Sequence, residues 1–576
     1  KIKIKETITM SFRWVITQPE QEEAISTLMD MLNVPESIAR LLAIRGISSF
    51  ENAKQFFRPS LNELYDPFLM KDMDRASERL SLAIRSNEKV LVYGDYDVDG
   101  TTATAIVYSF LKEFGVVVDY YIPHRFKEGY GINPEGVQYA HEMGAQVIVS
   151  VDCGITAIDE AEEIKALGMD LIICDHHTVG AALPNAYAVL DPKREDCSYP
   201  FDGLSGAGVG FKLVQATLAR LGLPAKVAYD YLDLLAVSIA SDIVPIIDEN
   251  RILMWAGLER LRTNPRVGIQ ALMNLIRVPQ AELDTKKIVF SIGPRINAAG
   301  RMGDASTAVK LLIAKDEPEA NLMARELEGI NAKRRDTDTT TMNEAVEQIE
   351  EQLNMDRISA LVLFNPDWHL GVIGIVASRL VDQYHRPAIM LSEVDGKIKG
   401  SARSIRGFNI YEAIRECDDL LEQFGGHEYA AGLTLKDGVL KEFRKRMNSK
   451  AVEELSGSSF EAELLVDAEI NLAEIDGKFW KLLHQFQPFG PANTKPLFTS
   501  KGLSAVGVPT IVGNGHLKLR LKQEGSPTFD AIGFNMHDLM PIVRDGKPFD
   551  IAYELEENTW NGNTSIQIHL RDIKES

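Results

Sequence analysis

The chain has 576 residues, 45% of them hydrophobic and 25% charged; this ordinary globular composition excludes wholesale disorder and, at roughly 150 residues per domain, predicts three or four domains. Its 62 Lys and Arg stand against 83 Asp and Glu, a formal charge of −21, so a polyanion must be held by a local basic lining or through metal ions rather than by the global field. Four cysteines without a CxxC pair exclude a disulfide scaffold and a Cys-rich zinc site, and fit a reducing compartment. The sequence has no run of 18 apolar residues, so nothing in it is expected to span a membrane. The N-terminus lacks a signal-peptide pattern, so the cytoplasm is the expected location.

Residues 1–9 read as an extension before a natural start at Met10. Residues 14–75 are helical in pattern, with few strand signals. From residue 88 the period changes. Strands are expected at 89–93, 117–122, 146–151, 170–174 and 186–190, and helices at 101–114, 134–143 and 157–167. Such alternation means βαβ units and a mostly parallel sheet. Residues 206–277 return to helix. Residues 317–354 are densely charged with one internal glycine, Gly329, and predict a long solvated connecting helix. A second α/β unit follows, with strands at 358–364, 388–391 and 397–402 and a helix at 372–383. Five strands at 503–512, 517–522, 528–534, 549–555 and 564–570 predict a small β-barrel of OB type. The expected division is 1–75, extension and helical segment; 76–316, first α/β domain; 317–354, connecting helix; 355–458, second α/β domain; 459–576, barrel.

Three segments follow apolar strands and end in carboxylate or imidazole: Tyr93-Gly-Asp-Tyr-Asp-Val-Asp-Gly100, Val149-Ser-Val-Asp-Cys-Gly154 and Ile172-Ile-Cys-Asp-His-His177. A fourth, Ser238-Ile-Ala-Ser-Asp242, ends an apolar helical stretch. Ligands of an open parallel sheet bind outside the carboxyl ends of its strands, so these segments are expected to converge. Asp95, Asp97, Asp99, Asp152 and Asp242 would then crowd together with no Lys or Arg in their segments. Like charges oppose ionisation, and divalent cations resolve the conflict. Carboxylates in excess of imidazoles suit Mn²⁺ or Mg²⁺. The ligands exceed what one octahedral ion needs, which implies two ions that clamp the attacking and leaving oxygens of a phosphoryl group. An EF-hand reading of Asp95–Gly100 fails, because loop position twelve is Ile106 rather than Glu and the preceding segment is a strand.

These segments resemble the four motifs of the DHH phosphoesterase superfamily. The resemblance extends to Gly293-Pro-Arg-Ile-Asn-Ala-Ala-Gly-Arg301, Trp368-His-Leu-Gly-Val-Ile-Gly-Ile375, Gly400-Ser-Ala-Arg-Ser404, Phe424-Gly-Gly-His427 and Phe486-Gln-Pro-Phe-Gly-Pro-Ala-Asn493. The ordered set, from about residue 40 onward, is similar to the RecJ family of single-strand-specific 5′→3′ DNA exonucleases. Cys153 is a departure, standing where many relatives carry Asn. The resemblance implies that Asp97, Asp99, Asp152, His176, His177 and Asp242 ligate metal, with Asp95 close by as a further catalytic residue. It implies that Arg125, Ser401 and Arg403 hold a terminal 5′-phosphate and that Arg301 is a further phosphate contact. Tyr130 would stack on a base. Arg295, Asn297, His369 and His427 complete the implied substrate-binding set. Roles in repair and recombination, and a helicase or single-strand-binding protein as partner, follow from the resemblance alone.

Residues 395–406 carry Lys397, Lys399, Arg403 and Arg406 against one acid, Asp395. Arginine suits bidentate phosphate contact, although a solvated basic hairpin would look the same. Lys518, Arg520 and Lys522 alternate along one strand and share a face, as on OB-folds that bind single strands; Phe529 and Phe534 read either as stacking platforms or as barrel core. Gly206-Ala-Gly-Val-Gly210 lacks dinucleotide spacing, and no P-loop exists. The expected activity is metal-dependent hydrolysis of single-stranded DNA to 5′-mononucleotides. One rival is a DHH enzyme acting on oligoribonucleotides, cyclic dinucleotides or pyrophosphate, but such enzymes are shorter and lack a barrel. The other is a non-catalytic DNA-binding scaffold, against which the intact acidic set argues.

Overall fold

The computed structural model describes residues 12–352, 358–455, 462–560 and 563–576. The extension 1–9, the start at Met10 and the expected borders at 354–355 and 458–459 lie outside the described residues. The first element is a strand, β1 (Phe12–Ile16), which the helical reading of this region missed. Helices Glu23–Leu32, Glu36–Ile44 and Phe50–Phe57 follow.

Strands β2 (Val90–Tyr93), β3 (Val118–Tyr121), β4 (Val147–Val151), β5 (Asp170–Cys174) and β6 (Ala188–Leu190) form an all-parallel sheet in the order β3-β2-β4-β5-β6. β2 and β4 are buried along their whole length, as inner strands covered on both faces must be. One apolar core lies on each face: Val92, Val149 and Ile172 point into one, and Leu91, Ile148 and Ile173 into the other. The strand order reverses at β2, and a crevice opens at the carboxyl ends of β2 and β4. Helices Gly206–Arg220, Leu232–Ser241 and Asp248–Thr263 complete this domain around the crevice.

Helix Glu317–Gln352 runs about 54 Å at 1.5 Å per residue and leads to a mixed sheet. Its strands are β7 (Leu361–Phe364), β8 (Ala388–Val394), β9 (Lys397–Arg403), β10 (Leu421–His427) and β11 (Ala430–Leu435), in the order β10-β11-β9-β8-β7. The β10–β11 hairpin was not expected. Gly425 and Gly426 give β10 no side-chain alternation, and its pairing with β11 (Gly426 opposite Ala431) makes the strand.

The last region contains β12 (Ala462–Val466), β13 (Ala468–Glu469), β14 (Phe498–Ala505), β15 (Thr510–Val512), β16 (His516–Lys522), β17 (Phe529–Gly533), β18 (Phe549–Trp560) and β19 (Asn563–Glu575). The series β14-β18-β19-β17-β16 closes on itself, because β16 also pairs with β14. This is the expected five-stranded barrel. The strand expected at 503–512 is two strands: Gly507 takes a positive φ of 80° and Pro509 has no N–H to give a ladder.

The N-terminal segment is not a unit of its own. β1 pairs in parallel with β12, Phe12 opposite Ala462. Ile25, Leu28, Ile38, Leu42 and Phe56 share one apolar core with Phe479, Phe486, Phe498, Leu517 and Phe549 of the barrel region. Trp14 Nε1 donates to Asp572 at 2.7 Å.

Candidate active site

The acidic segment after β2 folds back on the helix it starts. Asp97 caps helix Val98–Glu113 by accepting from Gly100 N at 3.0 Å. Gly94 and Gly100 permit this: a Cβ on Gly94 would lie 1.9 Å from Thr104 Oγ1, and one on Gly100 would lie 2.6 Å from the Asp95 backbone. Asp152 follows β4 in the left-handed region at φ 61°, where Asp is tolerated better than most residues. Asp99, in the first helical turn, has both oxygens engaged. They accept from Gly206 N at 2.6 Å, Ala207 N at 3.0 Å and Ser238 Oγ at 2.6 Å. Gly206 packs so closely that a Cβ there would stand 2.6 Å from that of Asp152. The Gly-Ala-Gly-Val-Gly run is thus a close-approach segment that buttresses two aspartates. Ser205 caps the helix that carries this run by accepting from Gly208 N at 3.1 Å.

Asp175 does not offer a free oxygen to a metal. It accepts from Ile155 N at 2.9 Å, His176 N at 2.8 Å and His177 N at 3.2 Å, and takes His177 Nδ1–H at 2.7 Å. Burial pushes Asp175 upward, but these bonds, His177 first, outweigh it and hold the carboxyl below its usual range. The same hydrogen bond outweighs the downward pull of burial on His177 and raises that imidazole. It also fixes the His177 tautomer, leaving Nε2 as the lone-pair nitrogen, the arrangement common to metal-ligating histidines. His176 is fixed likewise, with Nδ1 3.0 Å from Leu204 O, and burial lowers its pKa toward the neutral, ligating form.

His176 Nε2 then lies 3.2 Å from Asp152 Oδ1, 3.6 Å from Asp242 Oδ2 and 3.7 Å from Asp99 Oδ2. His176 Nε2, Asp95 Oδ1, Asp152 Oδ1 and Asp242 Oδ2 are buried without a hydrogen-bond partner. Burial first, then neighbouring carboxylates, push Asp95, Asp97, Asp152 and Asp242 upward. Orphaned acceptors and mutually repelling carboxylates in one place are what divalent cations satisfy. Three of the four sets among the described residues whose ligand atoms lie within 4.8 Å of one another are here: Asp95, Asp97 and Asp152; Asp152, His176 and His177; Asp99, His176 and Asp242. They share members, as a two-ion cluster requires.

Next to this cluster a cleft of about 980 Å³ runs between the two α/β domains. Arg125, Tyr130, Arg301, Ser401, Arg403 and His427 all line it. The Arg125 guanidinium stacks on Tyr96, 4.9 Å from the ring centre. Arg403 donates to Ser401 Oγ at 3.0 Å. Gly374 leaves these side chains room, since a Cβ there would stand 2.9 Å from Ser401 Oγ and 3.1 Å from Arg403 Nη2. Burial, then the charge of Arg125, lowers Arg301 to about 10 and lowers Arg403 as well. Three guanidiniums that repel one another in a cleft form a pocket for an anion. Tyr130 has a second attachment: its hydroxyl donates to Asp152 O at 3.2 Å and sits 3.1 Å from His177 Nδ1.

Three of the expected substrate-binding residues do not line this cleft. Arg295 pairs with Glu328 of the connecting helix at 2.5 Å, so its charge is already met. Asn297, two residues on, is likewise absent from the lining. His369 caps helix Leu370–Tyr384 by accepting from Gly371 N at 3.0 Å and packs edge-on against Phe126 at 5.4 Å. On the barrel, Lys518, Arg520 and Lys522 are all exposed on one face of β16. Phe529 is core, whereas Phe534 is 48% exposed between His516 and His569, at 5.0 and 5.1 Å.

A parallel sheet with acid-bearing strand ends, faced across a cleft by a smaller mixed sheet on a connecting helix, is the architecture of two-domain DHH phosphoesterases. Family models agree: the DHH family N-terminal domain matches residues 89–239, the DHHA1 domain 357–453 and the RecJ OB domain 466–572. The chain belongs to the RecJ family. It is 38% identical to the single-stranded-DNA-specific exonuclease RecJ of Bacillus subtilis over 568 residues, covering 98% of this chain and 71% of that one. It is 34% identical to that of Salmonella typhimurium, covering 96% and 99%. The structure of Thermus thermophilus RecJ with Mn²⁺ superposes with a TM-score of 0.84 at 29% identity, covering 98% of this chain and 80% of that one; its Mg²⁺ complex gives 0.77 at 27%, covering 98% and 79%.

Proposed function

We propose that this chain is a metal-dependent exonuclease that degrades single-stranded DNA from its 5′ end to 5′-mononucleotides. One observation carries the reading: orphaned acid and imidazole atoms at the strand ends lie beside a cleft in which three arginines repel one another. Asp97, Asp99, Asp152, His176, His177 and Asp242 would hold two Mn²⁺ or Mg²⁺ ions, with Asp95 adjoining them. When bound, the ions supply an activated water and neutralise the attacked phosphate and its leaving oxygen. Asp175 orients His177, and the Leu204 carbonyl orients His176. Arg125, Ser401 and Arg403 receive the terminal 5′-phosphate, with Arg301 beside them; only a chain end fits such a pocket, which sets polarity. Tyr130 carries its ring between pocket and metals. In this reading Arg295, Asn297 and His369 support the domain junction rather than touch DNA.

The face of Lys518, Arg520 and Lys522, with Phe534 as its platform, holds the strand farther from the cut. The domain division follows the same lines: 76–316 for chemistry, 355–458 for the strand end, and 459–576 together with the N-terminal helices for grip. No helix among the described residues is long and apolar enough to cross a membrane, and we assign the protein to the cytoplasm, in repair and recombination. Unwinding of a broken duplex turns its 5′ ends into single strands, so a helicase and a single-strand-binding protein are the partners in this reading, supported by the form of the substrate alone.

The test is hydrolysis of 3′- and 5′-labelled single strands with Mn²⁺, with Mg²⁺ and with EDTA. Mononucleotides should leave from the 5′ end only, and only with metal. Internal cuts, 3′-end release or metal-free activity would overturn the proposal.

A further inference from the structure

The segment Phe486-Gln-Pro-Phe-Gly-Pro-Ala-Asn493 contributes to neither the metal cluster nor the cleft, yet it is packed more closely than a linker needs to be. Asn493 is fully buried. Its Nδ2 donates to Phe486 O and Pro488 O, both at 2.8 Å, and its Oδ1 accepts from Arg45 Nε at 2.7 Å. The segment docks on the turn that follows Asp242. Asp242 ends helix Leu232–Ser241, its N–H bonded to Ser238 O at 2.9 Å. The next residue, Ile243, has a φ of 63° and is 71% exposed. A β-branched side chain in the left-handed region is strained, and no burial compensates here, so the flanking structure must impose the conformation.

That structure is the docked segment. Ile246 is fully buried and its N–H donates to Pro491 O at 2.8 Å. Gly490 presses on the same side chain: a Cβ on it would stand 2.5 Å from Ile246 Cγ1. Asn250 closes the turn from the other side, donating to Pro245 O at 3.0 Å and Gly203 O at 2.6 Å. Arg251, 3% exposed, anchors the whole. Its guanidinium donates to Gln485 O at 3.2 Å, Phe486 O at 3.0 Å, Gln487 O at 3.0 Å and Phe56 O at 2.9 Å, and lies 3.7 Å from the centre of the Phe56 ring.

We propose that residues 485–493, the junction into the barrel, are a brace for Asp242: by clamping Ile246 they fix the strained turn and thereby aim the Asp242 carboxylate into the metal cluster. The inference rests on the reading of Asp242 as a metal ligand. Gly490, Pro491 and Arg251 are positioning residues that act on Asp242 through the turn to Ile246, and they tie metal affinity to the docking of the C-terminal region.

The test uses the full chain with Gly490→Ala and measures Mn²⁺ binding without DNA, from the free-ion electron paramagnetic resonance signal, alongside thermal unfolding. Groups behind metal ligands change affinity by about 10- to 100-fold when altered. We expect a folded protein in which one of two ions binds about tenfold more weakly and the other binds as before. In an Asp242→Asn background Gly490→Ala should change nothing further. A folded Gly490→Ala protein that binds both ions normally overturns the brace, as does an equal loss in the Asp242→Asn background. If Gly490→Ala does not fold, Arg251→Lys takes its place: it keeps the charge but lacks the planar fork, and normal binding of both ions by a folded Arg251→Lys protein again overturns the proposal. Asp242→Asn alone separates the two levels, because normal binding by that variant removes Asp242 from the ligand set itself.

Discussion

One oxygen of Asp99 accepts the Gly206 N–H at 2.6 Å, at the edge of the acidic cluster. With Ala207 N and Ser238 Oγ on the same carboxylate, Asp99 holds helix Gly206–Arg220 as well as facing His176. A buried donor left without its acceptor costs about 1–3 kcal/mol. Asp99→Ala is therefore expected to abolish hydrolysis and also to lower stability by at least about 2 kcal/mol. His177→Ala, at a half-exposed side chain, should abolish hydrolysis with a much smaller stability change. Denaturant melts and turnover assays on both variants decide the matter. Equal melting of the two would remove the structural role of Asp99, and activity near wild type in either would sink the two-metal assignment.

Metal dependence should show in stability as well as in turnover. Asp95, Asp97, Asp152 and Asp242 are raised above 3.8 by burial and then by one another. A carboxyl group raised in the fold contributes stability that is present below 3.8 and lost as the pH climbs through its folded value. The metal-free protein should therefore lose stability from these groups between acid and neutral pH. Asp175, held below 3.8, acts oppositely: its contribution is present above 3.8 and fails only as the pH falls through its lowered value. Cations remove the first penalty, so Mn²⁺ should raise Tm more at about pH 8 than at about pH 5.5. Calorimetry with Mn²⁺ and with EDTA reads this directly, and equal increments at both pH values would contradict it.

Polarity is expected to reside in the arginine pocket. Loss of one charge-assisted phosphate contact costs about 1.5–3 kcal/mol, on the order of ten- to a hundredfold. Arg403→Ala should slow cleavage of 5′-phosphorylated strands by that factor and of 5′-hydroxyl strands far less. Equal slowing on both would assign Arg403 to the general backbone or to the fold.

The barrel's grip is better tested by charge than by truncation. Deleting residues 460–576 would strip the partners from Ile25, Leu28, Leu42 and Phe56 and the carbonyls from Arg251, so such a chain is expected to misfold. Lys518→Ala, Arg520→Ala and Lys522→Ala together leave the core untouched, since all three side chains are exposed. Single-strand affinity should fall, and the slope of log K on log salt should flatten by up to about two, at roughly 0.7 per phosphate contact. Unchanged affinity and slope would exclude this face as a DNA grip.

The catalytic sheet was legible because three of its five strands are apolar runs closed by acid or imidazole, and strand-end convergence follows from the fold rule alone. Helix 134–143 and strand 170–174 were read to the residue; in the structure Asn133 caps that helix and Gly144 stops it. What escaped was long-range. Phe12–Ile16 is five residues whose strand character comes from β12. The β10–β11 hairpin has glycines where an alternating pattern would show. The role of Gly206 depends on its distance from Asp152, and the pairing of Arg295 with Glu328 on a helix packed alongside; neither leaves a mark in local sequence.

The pairing of β1 with β12 also bears on how the chain is made. Arg13 bonds to Glu463, 450 positions later. At roughly 5–20 residues per second, a ribosome needs on the order of 20 to 90 seconds to supply that partner. Throughout that interval the first helices present Ile25, Leu28, Ile38 and Phe56 with no surface to cover them, while the catalytic sheet, whose strands lie within about 100 residues of one another, can already close. A nascent chain should therefore carry a sticky early segment until the barrel region has been made, the interval in which holding chaperones would bind it and in which premature stops after the second domain would leave an aggregation-prone product.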